Sequence, residues 1–126
     1  MKRITIDEAI AYFDEQCPNQ FSRENKIALL SELDEYLFEN IIRDRENAPI
    51  SEFVGYDDET SGSQELLAPF LFRELYRFFI EKSVHYANRE TAAYNNALAM
   101  FEAYFENYFS WYNKNHKTAS LKSINI

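Results

Sequence analysis

A chain of 126 residues that is 46% hydrophobic can bury one core, and its two Gly and three Pro favour long elements over many short strands. A net charge of −8 argues against a nucleic-acid binder working by phosphate neutralisation, and the single cysteine, Cys17, excludes an internal disulfide and a multi-cysteine zinc site. Behind Lys2 and Arg3 there is no apolar run, and no stretch approaches the roughly 18 apolar residues of a membrane span, so neither a secretory signal nor a membrane partner is expected.

The first helix is signalled by Thr5 with Glu8 three residues on, a capping box, and by Ile6, Ala9, Ile10 and Phe13 on one face. Cys17-Pro18-Asn19 ends it, because proline disfavours helix in the residue before it. Ser22 is the expected N-cap of a longer second helix reaching Glu46. Its apolar stripe holds Ile27, Leu30, Leu33, Leu37, Phe38 and Ile41, interrupted by Asp34. A lone carboxylate there reads as a rim residue or a structural hydrogen-bonding group, not as a catalyst.

Residues 47–64 form the one long loop. Its first half, with Ile50, Phe53, Val54 and Tyr56, can tuck onto the helices; its second half is acidic and Ser/Gly-rich, and mobility is expected there. Counting from Asp57, Gly62 falls at the sixth position of a calcium-loop pattern, but the twelfth is Ala68 where a bidentate Glu is needed. An acidic turn is the expectation.

A third helix from Glu65 or Pro69 to Ala87 carries Leu71, Leu75 and Phe78 in one file and Phe72, Tyr76, Phe79 and Tyr86 in another. Asn88-Arg89-Glu90 is a tight corner into a fourth helix ending near Asn115, so the last two helices should form an antiparallel hairpin. The fourth helix bears two files. Tyr94, Leu98, Phe101, Phe105, Tyr108 and Tyr112 are spaced 4, 3, 4, 3 and 4 apart, and Ala93, Ala97, Met100, Tyr104 and Trp111 run beside them. One stripe serves a core; two are a surplus that something else must cover. The more regular file is expected to pack inward. Met100, Tyr104 and Trp111, with Tyr76, are the candidate interface, so replacing Tyr104 and Trp111 should spare folding.

The expected architecture is therefore all-α, four main helices in one domain over residues 1–116, with a flexible tail over 117–126. Chemistry is sparse. Two glycines cannot build a phosphate loop, and His85 and His116 lack an HExxH pairing. His85 reads as a semi-exposed or interfacial residue, and Cys17 as the end of an apolar stripe. They could serve as base and nucleophile only if the fold joined them, which nothing in the sequence requires. No enzyme activity, cofactor or metal is expected.

Asn19-x-Phe21-Ser22-x-Glu24-x-Lys26, Leu33-Asp34-Glu35, Glu65-Leu66-Leu67-x-Pro69, Glu74-Leu75-Tyr76, Tyr86-Ala87-Asn88-x-Glu90, Tyr94-Asn95-Asn96-Ala97 and Trp111-Tyr112-Asn113 occur in this order. The set, over roughly residues 17–116, resembles a small protein encoded in the head-assembly region of tailed phages and prophages of Gram-positive bacteria. Such sequences typically have Gly where this chain has Arg89, and a more acidic segment where it has Arg73. The resemblance implies a head–tail connector or head-completion subunit that associates with itself and with portal or tail-side proteins, first in the host cytoplasm and then in the virion. It also suggests a place for Asp57, Asp58 and Glu59, facing a channel whose DNA they would repel. A cytoplasmic helical adaptor or assembly chaperone, binding one partner through the aromatic face, is the alternative.

Overall fold

The computed structural model describes residues 1–116. They form β1 (Arg3–Thr5), α1 (Ile6–Gln16), α2 (Arg23–Leu37), β2 (Glu65–Pro69), α3 (Arg73–Ala87) and α4 (Thr91–Asn115). The fold is all-α in character, and β1 and β2 add a small antiparallel sheet. The tail expected over 117–126 lies outside the described residues.

Both expected N-caps form. Glu8 N–H donates to Thr5 Oγ1 at 3.1 Å and Thr5 N–H donates to Glu8 Oε1 at 3.0 Å, closing the capping box of α1. Asn25 N–H donates to Ser22 Oγ at 3.0 Å at the start of α2. Between these helices, Asn19 Oδ1 accepts from Phe21 N–H at 3.1 Å and fixes the turn after Pro18.

α2 is shorter than the expected span to Glu46. It ends at Leu37 and widens into a π turn over Phe38–Ile42, where Arg43 N–H reaches the Phe38 carbonyl at 2.9 Å. Leu37, Phe38, Ile41 and Ile42 all stay buried through this change. α3 likewise begins at Arg73 and not at Glu65 or Pro69. Pro69 favours extended backbone before it, and Leu66, Leu67 and Ala68 are buried in succession, so β2 is covered on both faces. β2 pairs with β1 through Arg3 opposite Pro69 and Thr5 opposite Glu65. Ile6 N–H to the Gln64 carbonyl and Asp7 N–H to the Gly62 carbonyl, both at 2.9 Å, extend the pairing into the loop.

α3 contacts every other helix, whereas α4 packs chiefly against α3 as the expected hairpin. The core holds Ile4, Phe13, Leu30, Leu33, Leu37, Leu75 and Ile80, all withdrawn from water. Each such side chain contributes about 1.5–3 kcal/mol relative to exposure. The α3–α4 corner is a Schellman motif: Arg89 N–H donates to the Tyr86 carbonyl at 3.1 Å and Glu90 N–H to the His85 carbonyl at 2.9 Å. Arg89 sits there at φ 58°, a conformation that favours glycine.

Candidate functional site

α4 is 25 residues long, yet Ala97, Tyr108 and Tyr112 are its only fully buried residues. Its seam with α3 crosses both predicted files. Tyr104 stacks on Phe78 with ring centroids 5.8 Å apart, Phe101 meets Phe79 at 5.4 Å, and Tyr108 and Trp111 each meet Phe72 at 5.2 Å. Tyr104 and Trp111, expected to await a partner, are thus half-buried against the chain's own α3 side. Of the four interface candidates only Met100 is exposed. Tyr76 is fully buried beneath β2 and can present nothing to another protein. The physical reason is the 3.6-residue period: files spaced alternately by 3 and 4 straddle a helix seam, and the partner helix decides which members are covered.

The open aromatic strip lies on the other flank. Phe105 touches Tyr36 of α2 at 5.8 Å, Phe101 at 6.0 Å and Phe109 at 6.4 Å. Tyr36 is 52% exposed and Phe109 37%. Leu33, Tyr36, Phe79, Phe101 and Phe105 line a groove between α2 and the hairpin, with Glu32 and Lys82 at its edge. The Lys82 ammonium stands 4.3 Å over the Phe79 ring, and burial pulls its pKa below the usual lysine value. Tyr36, Phe109 and the groove thus form one apolar surface with a charged rim, the composition of an interface core.

Asp34, read as a rim residue or a structural group, is the second. It is fully buried and accepts three hydrogen bonds: from Tyr76 Oη at 2.6 Å, Tyr56 Oη at 2.7 Å and Leu67 N–H at 3.0 Å. Tyr76 Oη in turn accepts from Ala68 N–H at 2.9 Å. One carboxylate thereby ties α2 to the loop, to β2 and to α3. Burial pushes its pKa up to about 6 against the three donors, and burial and Asp34 together raise both tyrosines. The carboxylate is withdrawn from solvent, and its three hydrogen bonds all serve to tie these elements together.

Asp57, Asp58 and Glu59 are exposed in a hydrogen-bonded turn. Asp57 Oδ1 accepts from Glu59 N–H at 2.9 Å, and Thr60 N–H donates to the Asp57 carbonyl at 3.0 Å. The turn leads into a strand and not a helix, so the helix–loop–helix frame of a calcium loop is missing here. Elsewhere in the fold, Cys17 and His85 do meet, with Glu81 between them in sequence and beside them in space. As a nucleophile Cys17 is poorly disposed: burial, and then the Glu81 charge, push its thiol above the ordinary value.

Among the described residues no helix is long and apolar enough to cross a membrane. Comparison with family models, curated proteins and solved structures finds no match to this chain.

Proposed function

We propose that this chain is a non-enzymatic assembly protein of tailed phages and prophages, a head–tail connector or head-completion subunit that works by protein–protein association. The observation that carries the reading is the one-sided packing of α4. A small domain has no folding need for a 25-residue helix that buries three residues fully and leaves an aromatic strip beside its neighbour α2. The resemblance of the ordered segments from Asn19 to Asn113 to phage head-assembly proteins gives the partner class.

In this reading Tyr36, Met100 and Phe109 meet portal or tail-side proteins or a second copy of the chain, in the host cytoplasm and then in the virion. Asp57, Asp58 and Glu59, exposed in their turn, would repel DNA phosphates if the subunits closed into a ring with that turn facing the channel. No nucleic-acid recognition, membrane attachment, cofactor or catalysis enters the proposal. Mass spectrometry of purified particles from the host strain tests it. The protein is expected in stoichiometric amounts with the portal. Presence in the producing cell but absence from finished particles would replace this reading with that of an assembly chaperone.

A further inference from the structure

The end of α1 and the last turns of α3 meet in a cluster away from the aromatic strip. Cys17 is the C-cap of α1, in extended conformation and buried. Glu81 and His85 stand four residues apart on α3, on one face, with side chains only 16% and 17% exposed. One sulfur, one carboxylate oxygen and one ring nitrogen of the three lie within 4.8 Å of one another. His85 Nε2 is 3.5 Å from Glu81 Oε1, and His85 Nδ1 is 2.9 Å from Glu90 Oε1.

The geometry points to a binding site for a divalent cation of the zinc class, held by Cys17 Sγ, Glu81 Oε1 and His85 Nε2, with water as a fourth ligand. The donor set is the mixture of thiolate, imidazole and carboxylate that such an ion takes. Tetrahedral bonds of about 2.0–2.3 Å place neighbouring ligand atoms roughly 3.3–3.7 Å apart. The His85–Glu81 spacing already meets this, and the sulfur, within 4.8 Å of both, has at most about 1 Å to close, within reach of a side-chain rotation.

Glu90 supplies what a bare trio would lack. A metal-bound imidazole usually gives its other N–H to a carboxylate, which fixes the ring and its tautomer. Glu90 is brought to His85 Nδ1 by the Schellman corner. Charge points the same way. Glu74 and Glu81 face one cation, Arg77, whose Nη1 lies 3.0 Å from Glu74 and whose Nε lies 3.4 Å from Glu81 Oε2, while Glu90 adds a further carboxylate beside His85. That Glu81 oxygen is buried and makes no hydrogen bond. These three carboxylates and one guanidinium carry a net charge of −2, which a dication bound through one thiolate would reduce to −1. On binding, the S–H bond breaks as the metal–sulfur bond forms, and the thiol proton is released to solvent.

The test is a Co2+ titration of the full-length, reduced, chelator-treated protein. One equivalent is expected to give a thiolate-to-cobalt charge-transfer band and the intense visible bands of four-coordinate Co2+, both bleached by Zn2+. Cys17 is the one cysteine, so the thiolate band has a single source even if a cysteine variant fails to fold. H85Q is expected to lose the four-coordinate bands, and E90Q to keep them while Co2+ affinity falls about 10–100-fold. No thiolate band at excess Co2+ would leave an ion-pair network and overturn the proposal. Saturation at half an equivalent would overturn it too, because the ion would then bridge two chains. So would unchanged bands and affinity in H85Q.

Discussion

The Tyr76 hydroxyl donates to Asp34 Oδ1 at 2.6 Å in the centre of the core, while accepting from the Ala68 N–H at 2.9 Å. The two residues are far apart in sequence, and between them lie the π turn, the long loop and β2. Their bond closes the only polar path that joins α2, β2 and α3 through buried atoms among the described residues. A buried carboxylate is costly unless its lone pairs are satisfied, and three donors satisfy this one.

Removing the Tyr76 hydroxyl should therefore be expensive. Tyr76→Phe leaves the Ala68 N–H and one oxygen of Asp34 buried without partners, at an expected cost of about 3 kcal/mol. Tyr56→Phe removes a bond to the other oxygen, which keeps the Leu67 N–H, and should cost about 1 kcal/mol. Urea unfolding of the two variants checks the order. Equal losses would mean that Asp34 is not the tie described.

The same carboxylate sets a pH dependence of defined sign. Burial raises its pKa from 3.8 to about 6, so the folded chain holds the proton more tightly than the unfolded one. Its contribution is full below the unfolded value and is lost as pH rises through about 6, by about 3 kcal/mol in all. Other groups act in reverse. Glu8 is held low by its Thr5 backbone bond, and Glu90 by its His85 bond. Asp14 is low because its Lys26 and Asn19 bonds outweigh partial burial. Their contributions fade as pH falls, so the total curve mixes both signs. The difference in unfolding free energy between the wild type and Asp34→Asn isolates the term. It should decline between about pH 4 and 6; a flat or rising difference would refute the assignment.

The helices were legible because their signals are local. Thr5 with Glu8, Ser22, and the apolar spacing of α1 and α4 each operate within a turn or two, and tertiary packing kept them. β2 was not legible. Leu66, Leu67 and Ala68 are buried together, so no alternation marks the strand, and its partner β1 lies far away in sequence, at Arg3–Thr5. Asp34 shows the same limit. Its interruption of a stripe was visible, but the two tyrosines that make its burial tolerable come from a loop and another helix. The meeting of Cys17 with His85 had no local sign at all. What would have hinted at it is Glu81 four residues before His85, a spacing common to any solvated helix face.

Arg89 offers a test that depends on backbone alone. Its φ of 58° lies in the left-handed region, which costs a residue with a side chain roughly 1–2 kcal/mol, while its N–H completes the Schellman corner. Arg89→Gly removes that strain but adds freedom to the unfolded chain, so a net gain of about 0.5–1 kcal/mol is expected. Thermal unfolding measures it. Gly55→Ala should move the other way by about 1–2 kcal/mol, because Gly55 has φ 86° and an added Cβ would sit 3.2 Å from Ser31 Oγ. A destabilised R89G would show that the arginine side chain contributes more than its backbone costs.

The two flanks of α4 make opposite predictions, and the contrast separates packing from assembly. Trp111 touches Phe72, Tyr108 and Tyr112, so Trp111→Ala removes intramolecular contacts and should cost about 2–3 kcal/mol. Tyr36, Met100 and Phe109 are 52%, 42% and 37% exposed. Replacing each by Gln should change stability by no more than about 0.5 kcal/mol. If the strip is the assembly surface, the triple variant folds normally yet fails to enter particles and elutes as a monomer by light scattering. A hydrophobic anchor at an interface centre carries far more binding energy than folding energy, which is why the two readouts should part there and not at Trp111. Normal incorporation of the triple variant would remove the strip from the assembly proposal and leave its exposure without a function.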